Sequence, residues 1–177
     1  MRRPVLFAVL PCLLALSACG YHTLGAATHL PPGTRTLAIP VFATKTNAYR
    51  TETVMTTAVI REFAARTRLR VSPNDSSIAG EAPDTILRGT ILSQTVAPLT
   101  YNSQTQQSSS FLITMDVAVT LIARDGRILY KNDDYVFRQQ YQSTNDLPTF
   151  LEENPAAIER LSRDFARALV ADVLESF

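Results

Sequence analysis

The chain has 177 residues, a formal net charge of +1, 46 % hydrophobic residues and 19 % charged residues. These values are typical of one soluble domain and exclude a disordered tail, a coiled-coil fibre and a polytopic membrane protein. Nucleic acid is not an expected partner, because general binding to phosphates depends on a clear excess of basic residues.

The first 18 residues have the pattern of a secretory signal. Arg2 and Arg3 precede an apolar stretch over residues 4–16, which is too short to span a bilayer stably. Small residues, Ser17 and Ala18, then lead to Cys19. Removal of residues 1–18 leaves fifteen basic and sixteen acidic residues and a net charge of −1.

Cys19 is the only cysteine of the mature chain, so no internal disulfide can form. The sequence Leu16-Ser17-Ala18-Cys19 resembles the bacterial lipobox, which implies that the Cys19 sulfur takes a diacylglyceryl group and that Cys19 becomes the first residue. Two or three acyl chains anchor a protein essentially permanently. The alternative is an ordinary signal cleaved nearby, with Cys19 as a free thiol.

Residues 19–34 contain Gly25, Pro31, Pro32 and Gly33, a composition that favours an extended and unpacked tether. Its two histidines, at positions 22 and 29, have no cysteine or carboxylate nearby, and we predict no metal site there.

The next segments predict a β-α-β unit. Residues 36–42 have the composition of a strand, with Pro40 near its end. Met55, Val59 and Phe63 recur at helical spacing within a predicted helix over residues 49–66. A short strand over residues 69–72 follows, and we expect it to run parallel to the first strand.

Three strands then follow a loop over residues 73–84. The first, residues 86–96, contains Gly89 as a position of close approach or a bulge. The second, residues 111–123, is apolar at every odd position, which indicates one buried face. Asp125-Gly126 predicts a two-residue hairpin with a type I′ turn.

The returning strand changes parity, because Ile128 and Tyr130 are apolar on even positions and Tyr135 and Phe137 on odd ones. A change of parity needs an extra residue, so we predict a bulge near residues 132–134. In the last helix, we predict Asn154 as the N-cap and Pro155 as the first helical residue.

The predicted order is therefore β-α-β-β-β-β-α. It corresponds to an α/β (α+β) fold, a two-layer sandwich of two helices on a mixed sheet of four to five strands, over a single domain of residues 35–177.

The sequence carries no catalytic pattern. Both histidines lie in the tether, and no nucleophile elbow, zinc-protease or nucleotide-binding motif occurs. Asp133 and Asp134 are neighbours that point to opposite faces of a strand, so they cannot share one substrate bond. We expect neither enzymatic activity nor a cofactor.

Several stretches resemble the lipopolysaccharide-assembly lipoproteins of the LptE type. They are residues 19–22 (Cys-Gly-Tyr-His) after the lipobox, Leu30-Pro31, the strand over residues 37–42, the helix residues Arg50, Glu52, Thr56, Ala58, Glu62 and Phe63, and the passage over residues 66–71. In element order the resemblance covers residues 16–175, and specific matches become sparse after residue 95.

The resemblance implies a lipoprotein on the periplasmic face of the outer membrane. Such proteins fill the lumen of the large β-barrel LptD, help that barrel to fold and assist the passage of lipopolysaccharide into the outer leaflet. Gly20, in place of an Asp, is consistent with sorting to the outer membrane. The alternative is another outer-membrane assembly or secretion lipoprotein with a similar core, CsgG-like or TolB-N-like.

Two surfaces are candidate sites. The predicted loop over residues 101–110 is polar and uncharged, which suits contact with a wet barrel lumen. The residues expected to make this contact are Asn102, Ser103, Gln104, Gln106 and Gln107. The alternative is a solvated hairpin connection.

The second surface is the turn that carries Arg124 and Arg127, with Lys131 nearby, as a contact for lipopolysaccharide phosphates. A type I′ turn would place the two arginines opposite each other, where a bound anion would relieve their repulsion. The alternative is a solvated charged tip with Asp125 neutralising one arginine.

Overall fold

A computed structural model describes residues 29–47, 50–74, 81–102, 107–142 and 147–175. The predicted signal, Cys19 and most of the predicted tether lie outside these described residues. The elements in chain order are β1 (Thr36–Ala38), β2 (Ala43–Thr44), α1 (Thr51–Arg66), β3 (Arg70–Ser72), β4 (Thr85–Asn102), β5 (Gln107–Ala123), β6 (Ile128–Gln142) and α2 (Leu147–Leu174).

The described strands form one mixed sheet in the order β3-β1-β4-β5-β6, with β2 also paired to β4. β1 pairs in parallel with both β3 and β4, whereas β4, β5 and β6 are antiparallel neighbours. The prediction of a two-layer α+β sandwich with a parallel β-α-β unit is therefore confirmed.

The core lies between the two helices and one face of the sheet. β5 supplies its odd-numbered apolar residues, and both helices supply residues at helical spacing. The fully buried members include Met55, Val59 and Phe63 of α1, Leu161, Phe165 and Leu169 of α2, and Leu87, Ile91, Ile113, Met115 and Leu121 of the sheet. None of the described helices is long and apolar enough to cross a bilayer.

Gly89 allows the Phe42 ring to pack directly against the backbone of β4. A Cβ atom at residue 89 would lie 2.4 Å from the ring of Phe42, so the ring occupies the space that any other residue would need. The Phe42 ring also packs edge-on against Phe165, with centroids 6.1 Å apart. The prediction of a close approach at Gly89 is confirmed, and the contact joins the segment after β1 to both β4 and α2.

The predicted bulge in β6 is confirmed. Val117 pairs with Tyr135 and Val119 with Asn132, so β6 has one residue more than β5 over this interval. The extra residue lies at 133–134 and returns the aromatic side chains of β6 to the core face.

The prediction of a type I′ turn between β5 and β6 is wrong. Among the described residues outside glycine, only Arg50 has a positive φ, so Asp125 does not adopt the conformation that this turn requires. Gly126, at φ 87°, donates to the carbonyl of Ala123, and the Ala123 N–H donates to the carbonyl of Arg127. The result is a three-residue connection with a left-handed glycine, and Arg127 lies opposite Ala123 rather than Arg124.

Two expectations near the start of the domain need correction. The strand predicted over residues 36–42 ends at Ala38, two residues before Pro40, which has no N–H to donate to a ladder, and β2 begins only at Ala43. The end of the predicted tether is not unpacked, because Leu30 is only 6 % exposed and belongs to the core.

The loop over residues 101–110 is mostly strand. β4 continues to Asn102 and β5 begins at Gln107, so the connection is only residues 103–106, which lie outside the described residues. Backbone pairing of Tyr101 with Ser108 needs no apolar side chain. In the last helix, Asn154 is not the N-cap, because α2 begins at Leu147 and contains Pro155 in its interior.

We expect Gly89→Ala to lower the free energy of unfolding by about 1–3 kcal/mol, because the new methyl group must displace the Phe42 ring. Chemical denaturation measures the change. In a Phe42→Leu background the same substitution is expected to cost less, since the obstructing ring is gone. Equal costs in the two backgrounds would show that the ring contact does not govern this position.

Candidate functional site

Asp84 organises the end of the domain where the chain enters β1. One carboxylate oxygen of Asp84 accepts the backbone N–H groups of Arg35 and Thr36, at 2.9 and 3.0 Å, and the Thr36 hydroxyl at 2.9 Å. The Asp84 N–H in turn donates to that hydroxyl at 2.8 Å. These bonds join the start of β1 to the start of β4.

The other carboxylate oxygen of Asp84 reaches the β5–β6 turn. It lies 3.0 Å from the Arg124 guanidinium, which also donates to the carbonyls of Ala82 and Pro83. The Arg124 N–H donates to the Asp84 carbonyl at 2.8 Å. The hydrogen bond from the Arg35 backbone, helped by those from Thr36 and by the charge of Arg124, lowers the pKa of Asp84 despite its partial burial.

The three cations predicted to contact phosphate each have a carboxylate partner. Arg124 pairs with Asp84, the Arg127 guanidinium lies 3.9 Å from Asp125, and the Lys131 ammonium lies 2.7 Å from Asp133. All three cationic side chains are more than half exposed. Exposed ion pairs contribute only about 0–1 kcal/mol each to the free energy of unfolding, so a phosphate can compete with the carboxylates for these cations.

The opposite end of the sheet is the β4–β5 hairpin. Strand pairs run from Thr85 with Ala123 at the cationic end to Asn102 with Gln107 at the far end, a ladder about 60 Å long at ~3.3 Å per residue. Asn102 and Gln107 therefore close the described part of the hairpin. Ser103, Gln104 and Gln106 lie outside the described residues.

No Asp, Glu, Lys, Arg or His occurs among the 27 residues between Arg88 and Asp116. Within this stretch Val96 and Leu99 are 45 % and 48 % exposed, and residues 95–100 are exposed throughout. The far half of the hairpin is therefore an uncharged surface with both apolar and hydroxyl-bearing side chains. Such a surface can be covered by a partner without burying an unpaired charge.

The sheet face opposite the helices carries no helix among the described residues. Even-numbered residues of β5, Thr114, Asp116, Ala118 and Thr120, lie on this face and are partly exposed. The Ser93 hydroxyl donates to Asp116 at 2.5 Å, so the one acidic group at the centre of this face is already hydrogen-bonded. Arg88, Lys131 and Arg138 are register partners of Thr120 and Thr114 and lie on this same face, so the face carries exposed cations beside its polar residues.

A group of two tyrosines and a carboxylate joins β6 to α2. The Tyr135 hydroxyl donates to Asp172 at 2.5 Å and lies 2.7 Å from the Tyr130 hydroxyl. Burial, followed by the hydrogen bond to Asp172, raises the pKa of Tyr135. The His29 ring packs 5.3 Å from the Tyr130 ring, so this group also holds the chain as it enters the domain.

The raised pKa keeps Tyr135 protonated, and its hydroxyl donates a hydrogen bond to Asp172, so this group acts as a structural contact between β6 and α2. Among the described residues, no three His, Cys, Asp or Glu side chains are grouped so that they could hold a metal ion. Sequence reasoning missed both Asp84 and Asp172, since their partners lie 48 and 37 residues away in the chain.

We expect Asp84→Asn to lower the free energy of unfolding by about 1–3 kcal/mol near pH 7, because four hydrogen bonds to a charged carboxylate are weakened. The pKa of Asp84 is depressed in the folded state, so its stabilisation is present above the unfolded pKa and is lost as pH falls through the folded pKa. The difference from wild type should therefore shrink by about pH 3. Asp125→Asn, with one pair at 3.9 Å, is the control and should have little effect. An undiminished difference in acid would contradict this role of the carboxylate.

Solved structures share this fold at low identity. Uncharacterized lipoprotein B from Nitrosomonas europaea has a TM-score of 0.56 at 13 % identity, with 88 % of this chain and 90 % of that chain covered. A candidate lipoprotein from Caulobacter crescentus has a TM-score of 0.51 at 14 % identity, with 76 % and 88 % covered. At these identities the likeness concerns the fold alone.

No curated protein sequence matches the chain. The model of one protein family, described as LptE, lipopolysaccharide-assembly, matches residues 34–173, which include every described strand and nearly all of the last helix. The match begins two residues before β1 and ends one residue before the end of α2. The chain therefore belongs to the LptE lipopolysaccharide-assembly family.

Proposed function

We propose that this protein is a lipid-anchored outer-membrane lipoprotein that occupies the lumen of an LptD-like β-barrel, assists assembly of that barrel and helps lipopolysaccharide to reach the outer leaflet. The family match over residues 34–173 carries the proposal. A lipid anchor at Cys19, on the periplasmic face, completes it, and the proposed organisation is a signal over residues 1–18, a tether over 19–34 whose end packs on the core through Leu30, and a domain over 35–177.

The uncharged hairpin supports a plug role. The lumen of a large barrel is polar and wet, so a plug needs many hydrogen-bonding groups and few charges that would lose their hydration. The 27 residues between Arg88 and Asp116 meet this requirement. Val96 and Leu99 add exposed apolar area that contact with a barrel wall would cover.

The contact of Arg124, Arg127 and Lys131 with lipopolysaccharide phosphate stays a prediction. The predicted repulsion between opposed arginines is absent, because each cation has its own carboxylate. To bind the cations, a phosphate would have to displace those carboxylates from them. Arg127 has the longest and most exposed of these pairs, at 3.9 Å, and is the easiest of the three to release.

Cys19→Ala is expected to abolish incorporation of labelled palmitate and to release the protein into the soluble periplasm, because the acyl chains provide the anchor. Cys12→Ala is the matched control, since residue 12 lies in the signal, and it should retain full labelling. Label that persists on the Cys19→Ala protein would refute acylation at this residue.

Site-specific photocrosslinkers at Thr95 and Ala97 are expected to capture one large outer-membrane β-barrel in cells, because both residues are exposed on the uncharged hairpin. A crosslinker at Arg68, at the cationic end, serves as the comparison position and should capture the barrel far less. Failure of both hairpin positions, with the protein still in the outer membrane, would assign the hairpin to solvent and oppose the plug proposal.

A further inference from the structure

A second group of arginines, Arg35, Arg68 and Arg70, lies at the end of the domain where the chain enters β1. The Arg70 N–H donates to the Arg35 carbonyl at 2.9 Å, and Arg70 is the register partner of Thr36. Arg68 is two residues before Arg70, a separation of about 7 Å in extended chain. The backbones of the three residues therefore lie near one another at one end of the sheet, and the three are called here the entry cluster.

The local fold turns the entry cluster outward. Thr67 ends α1 by donating both its N–H and its hydroxyl to the Phe63 carbonyl. Leu69 then packs against the core, so the residues on either side of it, Arg68 and Arg70, alternate to the solvent side. Arg35, Arg68 and Arg70 are all exposed.

The entry cluster differs from the β5–β6 turn in its pairing. No guanidinium of Arg35, Arg68 or Arg70 has a carboxylate within ion-pair distance among the described residues, whereas Arg124, Arg127 and Lys131 each have one. Arg66, the next basic residue, is occupied by Glu62 at 2.6 Å. Three exposed arginines at one end of the domain, without a carboxylate partner among the described residues, offer free donors to an anionic surface.

The position of the cluster identifies the anion. Leu30 is buried in the core, and Arg35 follows only five residues later. His29 comes ten positions after Cys19, so an anchor at Cys19 lies within about 35 Å of the domain. This step rests on the proposed lipid anchor, which would hold the entry cluster close to the leaflet that contains the acyl chains.

We propose that the entry cluster binds the phosphate groups of anionic phospholipids and so orients the domain on the membrane, with its cationic end at the headgroups and its uncharged hairpin pointing away. Arginine suits phosphate because its planar donors can bind two oxygens at once. The charge distribution fits this orientation, since the other end of the sheet carries no charge between Arg88 and Asp116.

Vesicle binding by the mature chain with Cys19→Ala, which has no acyl chain, tests the proposal independently of the anchor. Vesicles that contain phosphatidylglycerol should bind this protein, and vesicles of phosphatidylcholine alone should not. Combined Arg35→Ser, Arg68→Ser and Arg70→Ser should weaken the partition coefficient by about fivefold per arginine, about 100-fold in all. Salt at about 0.5 M should also weaken the binding of the wild-type sequence to these vesicles, because it screens the attraction between arginines and headgroups.

The matched control replaces Arg138, Arg163 and Arg167 by Ser, which removes the same charge from exposed positions elsewhere. This variant should bind nearly as well as wild type. Equal losses in the two triple variants would mean that net charge alone acts, and no binding to phosphatidylglycerol vesicles would also overturn the proposal. Binding only to vesicles that contain lipopolysaccharide would reassign the cluster to that ligand and contradict the inference.

Two other measurements, palmitate labelling of Cys19 and capture of a barrel, test the proposed function and do not test this inference. An unacylated chain that binds phosphatidylglycerol through the entry cluster supports the inference even if no barrel is captured. The protein could be labelled with palmitate and associated with a barrel while its triple arginine variant binds these vesicles as well as wild type does. That result would support the proposed function and contradict the inference.

Discussion

The carboxylate of Asp84 joins three segments that are distant in the chain: the start of β1, the start of β4 and the β5–β6 turn. β1 and β4 are parallel and share only two register pairs, so few backbone bonds hold them together. The Asp84 side chain supplements those bonds from the end of the ladder. Because β3 pairs with β1, the same carboxylate also fixes where β3 and its Arg70 lie relative to the rest of the sheet.

Local patterns in the sequence predicted those parts of the fold that depend on local side-chain periodicity. The odd-position apolar residues of β5 and the Met55, Val59, Phe63 stripe of α1 both enter the core, and the parity change in β6 located its bulge. The sequence patterns predicted the wrong element boundaries where backbone hydrogen bonds, and not side-chain periodicity, determine where an element begins or ends. Tyr101 and Ser108 pair in a ladder despite polar surroundings, and α2 begins before Asn154 because a capping residue does not prevent an earlier start.

The candidate site was less predictable. The uncharged stretch and the basic turn can be read directly from the sequence, but the partners of the basic turn cannot. Asp84 comes 40 residues before Arg124, and its role depends on the parallel pairing that brings β1 beside β4. The arginines of the entry cluster are visible in the sequence as separate residues. Only the register between Thr36 and Arg70 places them together.

The domain is therefore electrically asymmetric along β4. Its entry end carries paired and unpaired cations around Asp84, and its far end is an uncharged hairpin. This arrangement is consistent with a protein held at a phosphate-rich surface by one end and covered by a polar, wet partner at the other. Membership of the LptE family favours a role in lipopolysaccharide assembly over the CsgG-like and TolB-N-like alternatives.

The most direct test of the central claim is the surface delivery of newly made lipopolysaccharide after depletion of this protein in its own host. Pulse-labelled lipopolysaccharide would be followed for its accessibility to a modifying enzyme that acts only in the outer leaflet. The account predicts that labelled molecules accumulate inside the envelope and escape modification, while a barrel protein unrelated to lipopolysaccharide transport still reaches the outer membrane. Normal modification of the labelled lipopolysaccharide in fully depleted cells would contradict it.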